Sequence, residues 1–394
     1  MTVTDTTRAR TGLPGQPLPP WRRAVLKVGS NLLAADGGGL TARHAAGLAA
    51  FIAASQAQGR EVVLVSSGAV AAGRALLREH APASGDLAAR QALAALGQTP
   101  MIALWQSLSE RPVAQVLLTH DDLRNRRRYL NARATLRGLL ALHVLPVVNE
   151  NDTVAVDELK LGDNDNLAAI VAALVDADLL LIASDIDALY SADPRRDPAA
   201  VPLPHVAALT PEILAMAGGS GSAVGTGGMR TKLEAAAKAA AAGIPTALFG
   251  GRDEATVSAL SHDHLHGTLI DAPAIRMQAR KYWLRHAPAA QGCIRVDAGA
   301  ARALASGRAS LLPGGIAGAQ GEFLRGDLVE ITDAGGKAVA RGLCQYAAAE
   351  VRRLAGRHSR DIEAVLGYTH GHEIVHRDDL VTVVPAETAG GIEA

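Results

Sequence analysis

The sequence predicts an α/β protein, an αβα sandwich around a parallel sheet, followed by a small β-rich barrel at the C-terminal end. Between residues 24 and 249, short apolar runs alternate with longer helical patterns, an order typical of parallel strands joined by crossover helices. Beyond residue 291, short strands and frequent glycines replace this alternation. At 394 residues the chain has room for two or three domains of ~150 residues each.

The elements of the predicted sandwich follow from hydrophobic periodicity and from the residues that end each run. The apolar runs predict strands over residues 24–28, 61–65, 113–118, 145–148, 179–183 and 246–249. The patterns between them predict helices over residues 41–58, 89–96, 102–108, 125–142, 167–175 and 229–242. In the C-terminal part, residues 328–332 and 338–344 flank a turn and predict a hairpin, and a helical pattern covers residues 360–366.

Shifts in composition divide the chain into four parts. Residues 1–20 are polar with several prolines and predict a disordered extension, whereas residues 21–278 form the sandwich domain. Residues 279–291 are basic and predict a linker to the β-rich domain over residues 292–384. Because the extension has no apolar core, it is not a signal peptide.

The charge and cysteine content of the chain argue against a nucleic-acid-binding, membrane or disulfide-rich protein. The chain has 39 basic and 39 acidic residues, so no net field attracts nucleic acid or an anionic membrane. Its two cysteines, Cys293 and Cys344, are too few for a disulfide framework and suggest reduced thiols. No segment is apolar enough to span a membrane, because Asp176 and Asp178 interrupt the most apolar window. We therefore expect a cytoplasmic protein.

Two clusters of short polar side chains follow the predicted strand over residues 145–148. The first is NEND, residues 149–152, and the second is DNDN, residues 163–166, which leads into an apolar helix. Parallel sheets bind ligands where their strands end, so these side chains are expected to face a binding crevice. Ordinary Asx turns and a helix cap are the structural alternative.

Phosphate binding is predicted without either of the common nucleotide motifs. A Walker A sequence is absent, and no G-x-G-x-x-G follows a strand. Instead, residues 225–232, GTGGMRTK, place glycines before a helix whose N-terminus favours anions, with Lys232 one turn inside. A surface loop before a helix is the alternative for this segment.

Lys27 and Ser67 are candidate binding residues because of their positions near the ends of predicted strands. Lys27 interrupts an apolar strand, and since a buried ammonium is costly, it is expected to meet an anion. Snorkelling from an edge strand is the alternative. Ser67 and Gly68 could present a hydroxyl and a backbone N–H to a carboxylate, although an N-cap explains them too. These features together describe a kinase without a P-loop.

No metal site is predicted from the sequence. His262, His264 and His266 alternate in a segment without a nearby cysteine, so a solvated turn explains them better than a metal centre.

At this stage the motifs resemble those of a known family. In order, AVLKVGS, VSSGAVAAG, VVNENDTV, LGDNDNLAA, SDIDALYSADPR and GTGGMRTK resemble the glutamate 5-kinases of the amino acid kinase superfamily. GCIRVDAGA, SLLPGGI, GEFLRGDLVEI and GYTHGHEIVHRDDL resemble the PUA domain that many bacterial members have. The resemblance covers nearly the whole chain apart from its two ends.

The resemblance implies ATP-dependent phosphorylation of the side-chain carboxylate of L-glutamate, the first step of proline biosynthesis. It implies Mg²⁺ as a cofactor, proline as a feedback inhibitor, a homo-oligomer, and a downstream glutamyl phosphate reductase. Another kinase of the superfamily, acting on a carboxylate, carbamate or a nucleotide, remains an alternative. So does an RNA-binding protein that acts through the PUA domain, with Arg352, Arg353, Arg357 and Arg360 as its phosphate-binding face.

The resemblance also implies individual site residues. The implied catalytic residues are Lys27 and Lys232, with Asp163 as the aspartate that organises the two lysines. The implied glutamate site comprises Ser67, Asp152, Asn164 and Asp165. The implied nucleotide contacts, besides Lys27, are Ser184, Asp185, Thr226, Gly227, Gly228, Met229, Arg230, Thr231 and Lys232. Asn31 and Ser184 depart from the residues that the family often has there.

Overall fold

The structure is a computed structural model that describes residues 13–35, 38–81, 87–124, 126–155, 164–216, 228–273, 290–307 and 309–383. The chain divides into two compact units. The first comprises Met1–Leu123 and Arg127–Arg276, and the second comprises Arg124–Arg126 and Met277–Ala394. Residues 1–12 of the predicted extension and residues 279–289 of the predicted linker lie outside the described residues.

The described elements before residue 274 include all six predicted strands and six further short strands that were not predicted. The strands are β1 (Gln16–Pro17), β2 (Arg23–Val28), β3 (Glu61–Ser66), β4 (Val113–Leu118), β5 (Leu145–Glu150), β6 (Leu179–Ser184), β7 (Leu189–Tyr190), β8 (Pro202–Leu203), β9 (His205–Val206), β10 (Thr246–Gly250), β11 (His264–Leu265) and β12 (Gly267–Ile270). The helices are α1 (Ser30–Leu33), α2 (Ala45–Ala57), α3 (Ala69–Leu77), α4 (Leu87–Leu108), α5 (His120–Arg124), α6 (Arg126–Ala141), α7 (Asn164–Leu174), α8 (Pro211–Met216), α9 (Met229–Ala241) and α10 (Glu254–Leu260).

An eight-stranded sheet organises this unit, in the order β4-β5-β3-β2-β6-β10-β12-β9. The neighbours from β4 to β10 are all parallel, which confirms the predicted core of the sheet. At the far edge β12 runs antiparallel to β10, a departure that is common at the edge of a large α/β sheet. Strand β2 lies in the middle of the sheet, so Lys27 is not an edge-strand lysine.

Residues 16–18 belong to the folded unit, so the prediction of disorder is wrong for this part of the extension. Strand β1 pairs with β11, and the Gln16 amide donates to the carbonyl of Pro204 at 2.6 Å. Leu18 is buried in the core beside Trp21. These contacts offset the entropy of ordering the segment, which its prolines already reduce.

Helices α3 and α4 are in backbone contact, which positions one side of the crevice described below. A Cβ atom added at Gly97 would lie 1.7 Å from the carbonyl oxygen of Ala69, and one added at Gly73 would lie 1.9 Å from that of Leu93. Only glycine fits at such a crossing. Helix α4 continues through Pro100, whereas the sequence pattern suggested two separate helical runs.

We expect Gly97→Ala to lower the free energy of unfolding by several kcal/mol, since overpacking against a rigid backbone typically costs ~1–3 kcal/mol and sometimes more. Gly138→Ala in α6 is the matched control, because its added Cβ meets nothing within 4 Å. That control should be neutral or stabilising by about 0.5–1 kcal/mol. Urea unfolding of both variants measures the difference, and equal stabilities would contradict the close helix contact.

Two other helical regions can be compared with the sequence prediction. The helix predicted over residues 125–142 is confirmed as α6, and the short helix α5 before it was not predicted. Helix α7 begins at Asn164 instead of residue 167, so Asn164, Asp165 and Asn166 of the second Asx cluster lie in its first turn. Asn164 and Asp165 therefore point from a rigid helix, which fixes their directions better than a loop would.

The second unit contains a separate five-stranded sheet in the order β14-β13-β15-β16-β17. Its strands are β13 (Gly292–Val296), β14 (Ile316–Gly321), β15 (Leu328–Thr332), β16 (Ala338–Leu343) and β17 (Leu380–Thr382), and its helices are α11 (Ala298–Ala305), α12 (Ala348–Leu354) and α13 (Ile362–Leu366). Strands β15 and β16 form the predicted hairpin. Within the described ranges, no helix combines the length and apolar character required to cross a bilayer.

Two of the arginines proposed for an RNA-binding face have partners within the second unit. Arg352 donates to the carbonyl oxygens of Ala319 and Gly321 at 3.2 and 2.5 Å, and Arg353 donates to that of Val365. Both guanidinium groups therefore stabilise the fold of this unit. This use weakens the RNA-binding alternative.

Candidate functional site

A cavity of about 490 Å³ opens at the carboxyl ends of the central parallel strands. Seven of the residues that the sequence analysis selected line it: Lys27, Ser67, Asp152, Asn164, Ser184, Asp185 and Lys232. The topology explains why they meet, since β2, β3, β5 and β6 are parallel and end at the same edge of the sheet. Residues far apart in sequence thereby share one crevice.

Asp165 links the ammonium groups of Lys27 and Lys232. Its Oδ1 lies 2.6 Å from Lys27 Nζ, and its Oδ2 lies 3.5 Å from Lys232 Nζ. Thr231 also donates its hydroxyl to Asp165 Oδ2 at 2.7 Å. All three charged side chains are at least 94% buried, so their interaction is only weakly screened by water.

The pKa values of two members of this triad, Asp165 and Lys232, are shifted. Burial alone would raise the pKa of Asp165, but the ammonium groups of Lys27 and Lys232 outweigh burial and hold the pKa below its usual range. Burial lowers the pKa of Lys232 by more than the Asp165 carboxylate raises it. Two cations share one anion, so the triad has an excess positive charge that an anionic ligand would neutralise.

The position of Asp165 differs from the role implied by the resemblance. The aspartate between the lysines was expected at Asp163, which lies outside the described residues, and Asp165 was expected to contact glutamate. In the structure Asp165 lies behind the lysines, not among the described residues that line the cavity. The reason is helical geometry, because α7 directs Asn164 and Asp165 from adjacent positions to different sides.

Asn164 has a fixed amide orientation. Its Nδ2 donates to Ser67 Oγ at 2.7 Å and to Asn149 Oδ1 at 2.9 Å. Its Oδ1 is buried and has no hydrogen-bond partner among the described residues. A buried acceptor without a donor is costly, so the site favours a ligand that donates a hydrogen bond there. Ser67 Oγ accepts from Asn164, which leaves its own proton available to a ligand.

Asp152 supplies a carboxylate to the same end of the cavity. Burial raises the pKa of Asp152, while the charge of Arg90 opposes that rise. Arg90 comes from α4 and also lines the cavity. A bound cation beside Asp152 would favour its ionised form. This end of the cavity therefore combines an anionic carboxylate, an amide acceptor and a hydroxyl donor.

The opposite part of the cavity wall contains Ser184 and Asp185 at the end of β6. Asn31 donates to Asp185 Oδ2 at 3.0 Å, and Ser184 Oγ accepts from the backbone N–H of Ile186 at 3.3 Å. Burial would raise the pKa of Asp185, but the hydrogen bond from Asn31 contributes to a net lowering. Asn31 thus orients an ionised carboxylate at the mouth of the cavity.

The predicted nucleotide segment is only partly described. Thr226 and Gly227 lie outside the described residues, and among residues 228–232 the cavity is lined by Lys232 alone. Arg230 is exposed and pairs with Glu234 at 2.9 Å. Gly228 precedes α9, and Met229 begins it, so that helix begins near Lys232 as predicted.

Four further residues, to which the sequence analysis gave no individual role in the site, shape the cavity. Asn149 orients Asn164, Asn31 orients Asp185, and Arg74 and Arg90 line the wall formed by α3 and α4. Asn149 was visible as part of the first Asx cluster. The two arginines had no motif to mark them, because their place depends on how α3 and α4 pack.

The three histidines near residue 264 do not assemble a metal site in the described part of the chain. No group of three or more His, Cys, Asp or Glu side chains there has the geometry to hold a metal ion. His264 lies in β11, and His266 is half-buried beside the carbonyl oxygen of Leu13. His262 is exposed in a turn, which confirms the predicted solvated turn there, whereas the turn does not describe His264 in β11 or His266 beside Leu13.

A parallel sheet whose open edge holds two lysines around a buried aspartate, with no Walker A loop, defines a class of α/β kinases. The chain matches the model of the amino acid kinase family over residues 22–250 and that of the PUA domain over residues 292–366.

Similar proteins of known name indicate which group of amino acid kinases the chain belongs to. A glutamate 5-kinase of Xanthomonas euvesicatoria pv. vesicatoria (strain 85-10) is 69% identical over 91% of this chain and 100% of the relative. One of Xylella fastidiosa (strain M12) is 66% identical over 93% and 97% of the two chains. A solved carbamate kinase from Giardia lamblia bound to AMP-PNP is 18% identical, with a TM-score of 0.47 over 64% of this chain and 99% of that one. The chain belongs to the amino acid kinase family and, within it, to the glutamate 5-kinases.

Proposed function

We propose that this protein transfers the γ-phosphoryl group of ATP to the side-chain carboxylate of L-glutamate, which gives L-glutamyl 5-phosphate for proline biosynthesis. The observation that supports this most strongly is the buried Lys27–Asp165–Lys232 triad in the same cavity as Asn164 and Asp152. One end of this cavity suits a phosphoryl group, and the other suits an amino acid.

The reaction needs no general base. A glutamate side chain has a pKa near ~4.3, so the nucleophile is already ionised at neutral pH. Its oxygen attacks the γ-phosphorus, the bond to the bridging oxygen of ADP breaks, and the electron pair leaves with ADP. The protein's tasks are therefore to align two anions and to reduce their repulsion.

Lys27 and Lys232 perform the second task. Their ammonium groups neutralise charge on the transferred phosphoryl oxygens, and they act inside a site that is largely shielded from water. Asp165 is a positioning residue, because it holds both ammonium groups at one place before the substrates arrive. Preorganised charges of this kind require no reorganisation at the transition state.

The amino-acid end of the cavity would bind the α-ammonium and α-carboxylate groups of glutamate. Asp152 is the counter-charge for the α-ammonium, and Asn164 Oδ1 accepts one of its hydrogen bonds. The α-carboxylate accepts from the Ser67 hydroxyl and from backbone N–H groups near Gly68 at the start of α3. Asn164 and Ser67 thus recognise opposite charges of the same zwitterion.

ATP would occupy the other end. Lys27 and Lys232 contact its phosphates, and Ser184 and Asp185 contact the nucleotide at the mouth of the cavity. The backbone of residues 228–231 at the start of α9 supplies further N–H donors. The described residues offer no protein cage for Mg²⁺, and Asp165 is engaged by two lysines. A Mg²⁺ ion would therefore be held by the ATP phosphates and water, and it would supply additional charge neutralisation.

The test of this function is a hydroxylamine assay with ATP, Mg²⁺ and L-glutamate. Hydroxylamine traps an acyl phosphate as the hydroxamate, so its ATP-dependent formation identifies the product. Aspartate, carbamate and uridine monophosphate serve as alternative acceptors, and the rate of ADP release compares them, because a phosphorylated nucleotide forms no hydroxamate. Faster turnover of any of them than of glutamate would contradict the proposal.

Asn164→Asp should affect glutamate specifically. The substitution keeps the shape but removes both amide donors, so the contacts to Ser67 and Asn149 are lost. Leaving buried groups unsatisfied costs ~1–3 kcal/mol, which corresponds to a KM for glutamate raised about 5- to 150-fold. Steady-state kinetics should show a KM for ATP within about twofold of the wild-type value, and an equal rise for both substrates would contradict the assignment.

Several wider features belong to the same proposal. Proline would act as a feedback inhibitor at or near the glutamate site, because it shares the α-carboxylate and the cationic nitrogen that this site recognises. We also propose a homo-oligomer located in the cytoplasm. A glutamyl phosphate reductase would consume the acyl phosphate, which hydrolyses readily in water.

A further inference from the structure

Helix α4 reaches both pieces of backbone that form the amino-acid end of the cavity. We propose that Trp105 and Gln91, two side chains of this helix, are positioning residues for the amino-acid substrate, an inference that rests on the proposed function. Neither is among the described residues that line the cavity. Each acts through a hydrogen bond to the segment behind a substrate-binding side chain.

Trp105 holds the end of β3. Its indole Nε1 donates to Ser66 Oγ at 2.8 Å. Trp105 is 1% exposed, and Ser66 is fully buried. An indole N–H only donates, so Ser66 must accept there and direct its own proton elsewhere. Ser66 Oγ donates that proton to the carbonyl oxygen of Ser67 at 3.2 Å. The indole thereby fixes the Ser67–Gly68 peptide unit.

The hydrogen bonds from Trp105 to Ser66 and from Ser66 to Ser67 affect the substrate through the position of the Ser67 backbone. Ser67 Oγ accepts from Asn164, and the next residue, Gly68, has a φ of 111° as the chain turns into α3. A turn with left-handed backbone depends on the orientation of the peptide before it. Movement of Ser67 would therefore displace its hydroxyl and the N–H groups that follow.

Gln91 holds the turn that contains Asp152. Its Nε2 donates to the carbonyl oxygen of Ala155 at 3.1 Å. Ala155 N–H in turn donates to Asn151 O at 3.2 Å, which closes the turn around Asp152. The position of the Asp152 carboxylate thus depends on a side chain in the second turn of α4.

The two anchors belong to one rigid element. Gly97 lies between Gln91 and Trp105 on α4, at the place where the backbone of α4 touches that of α3. An α-helix rises ~1.5 Å per residue, so the anchors are about 21 Å apart along the axis. Helix α4 therefore links the Ser67 strand end and the Asp152 turn, the two segments that hold the amino-acid end of the cavity.

Trp105 also packs in the hydrophobic core, so a test must separate packing from positioning. Trp21→Phe is a matched control because Trp21 is also buried and its Nε1 donates to Asp263 at 3.2 Å, away from the cavity. Both Trp→Phe changes remove one N–H and a similar volume. Only the change at Trp105 should alter substrate binding.

The experiment compares steady-state kinetics of the full chain with Trp105→Phe, Ser66→Ala and the double variant. A buried hydrogen bond contributes ~0.5–1.5 kcal/mol net, which corresponds to a KM for glutamate raised about two- to tenfold. We expect a KM for ATP within about twofold of the wild type in every variant. The double variant should be no worse than the worse single variant, because both changes break the same bond.

Gln91→Leu provides a second measurement that leaves the core intact. It should raise the KM for glutamate by a similar factor, while Trp21→Phe lowers the thermal midpoint without changing that KM. Equal shifts of both KM values, additive effects of Trp105→Phe and Ser66→Ala, or an unchanged KM for glutamate in Gln91→Leu would each overturn the inference.

The wild type distinguishes this failure from a failure of the proposed function. If the wild type forms glutamyl hydroxamate and the variants behave like it, the inference is wrong and the function stands. If the wild type prefers another amino acid, the function is wrong, and the same comparison with that amino acid still decides the role of α4.

Discussion

Lys232→Met should reduce kcat by about 10³-fold or more while the protein remains folded, because the variant loses one of two charges on the transferred phosphoryl group. The fold is expected to tolerate the change for a specific reason. Two ammonium groups share the Asp165 carboxylate, so removing Lys232 leaves the balanced Lys27–Asp165 pair at 2.6 Å. A methionine side chain also fits the buried volume without a polar group to satisfy.

Lys238→Met in the same helix is the control for this variant. Lys238 lies in the last turn of α9 and does not line the cavity. Hydroxamate formation by Lys238→Met should match the wild type, and circular dichroism should show all three proteins folded. Turnover by Lys232→Met within tenfold of the wild type would remove this lysine from the mechanism.

Asp165→Asn should have the largest effect on stability. The variant keeps the shape of the side chain but leaves two buried ammonium groups without their anion. Breaking a buried ion pair in this way typically costs ~3–5 kcal/mol, and we expect a loss of free energy of unfolding in that range. Turnover should fall as well, because Lys27 and Lys232 would no longer be held at one place.

Asp176→Asn is a matched control for Asp165→Asn. Asp176 also lies between two cations, Arg133 at 2.7 Å and Arg137, but its side chain is 31% exposed. Exposed pairs contribute only ~0–1 kcal/mol each, so this variant should lose far less stability in urea unfolding. Equal losses for the two variants would show that the Lys27–Asp165–Lys232 triad contributes no more than a surface cluster.

The pH dependence of the same comparison follows from the lowered pKa of Asp165. A carboxyl whose pKa is lower in the folded state stabilises the protein above its unfolded pKa, ~3.9, and this contribution is lost as pH falls through the folded value. The stability difference between wild type and Asp165→Asn should therefore be constant at neutral pH and narrow below about pH 4. A difference that grows on acidification would contradict the charge assignment.

Much of the sheet and half of the site were accessible to sequence reasoning because their signals are local. The apolar runs around Lys27 and before Ser184 predicted buried parallel strands, and parallel strands end at one edge. That single topological rule brings Lys27, Ser67, Asn164 and Ser184 to one cavity. The glycines before α9 likewise predicted the helix that positions Lys232.

The remaining contacts depend on side-chain direction and helix packing, which local patterns do not encode. Adjacent residues on a helix point about 100° apart, so Asn164 faces the cavity and Asp165 faces the lysines, a distinction that requires the true start of α7. Arg90 reaches the cavity only because Gly73 and Gly97 allow α3 and α4 to touch. Three-dimensional packing, not motif spacing, determines these positions.

The central claim is that Lys27 and Lys232, held by Asp165, flank the phosphoryl group while Asp152 and Asn164 hold the amino acid. A crystal structure with a non-hydrolysable ATP analogue, Mg²⁺ and L-glutamate tests it most directly. We predict both Nζ atoms within hydrogen-bond distance of γ-phosphoryl oxygens, the glutamate side-chain carboxylate in line with the γ-phosphorus, and the α-ammonium at Asp152 and Asn164 Oδ1. A γ-phosphoryl group that contacts neither lysine, or an α-ammonium bound elsewhere, would contradict the account.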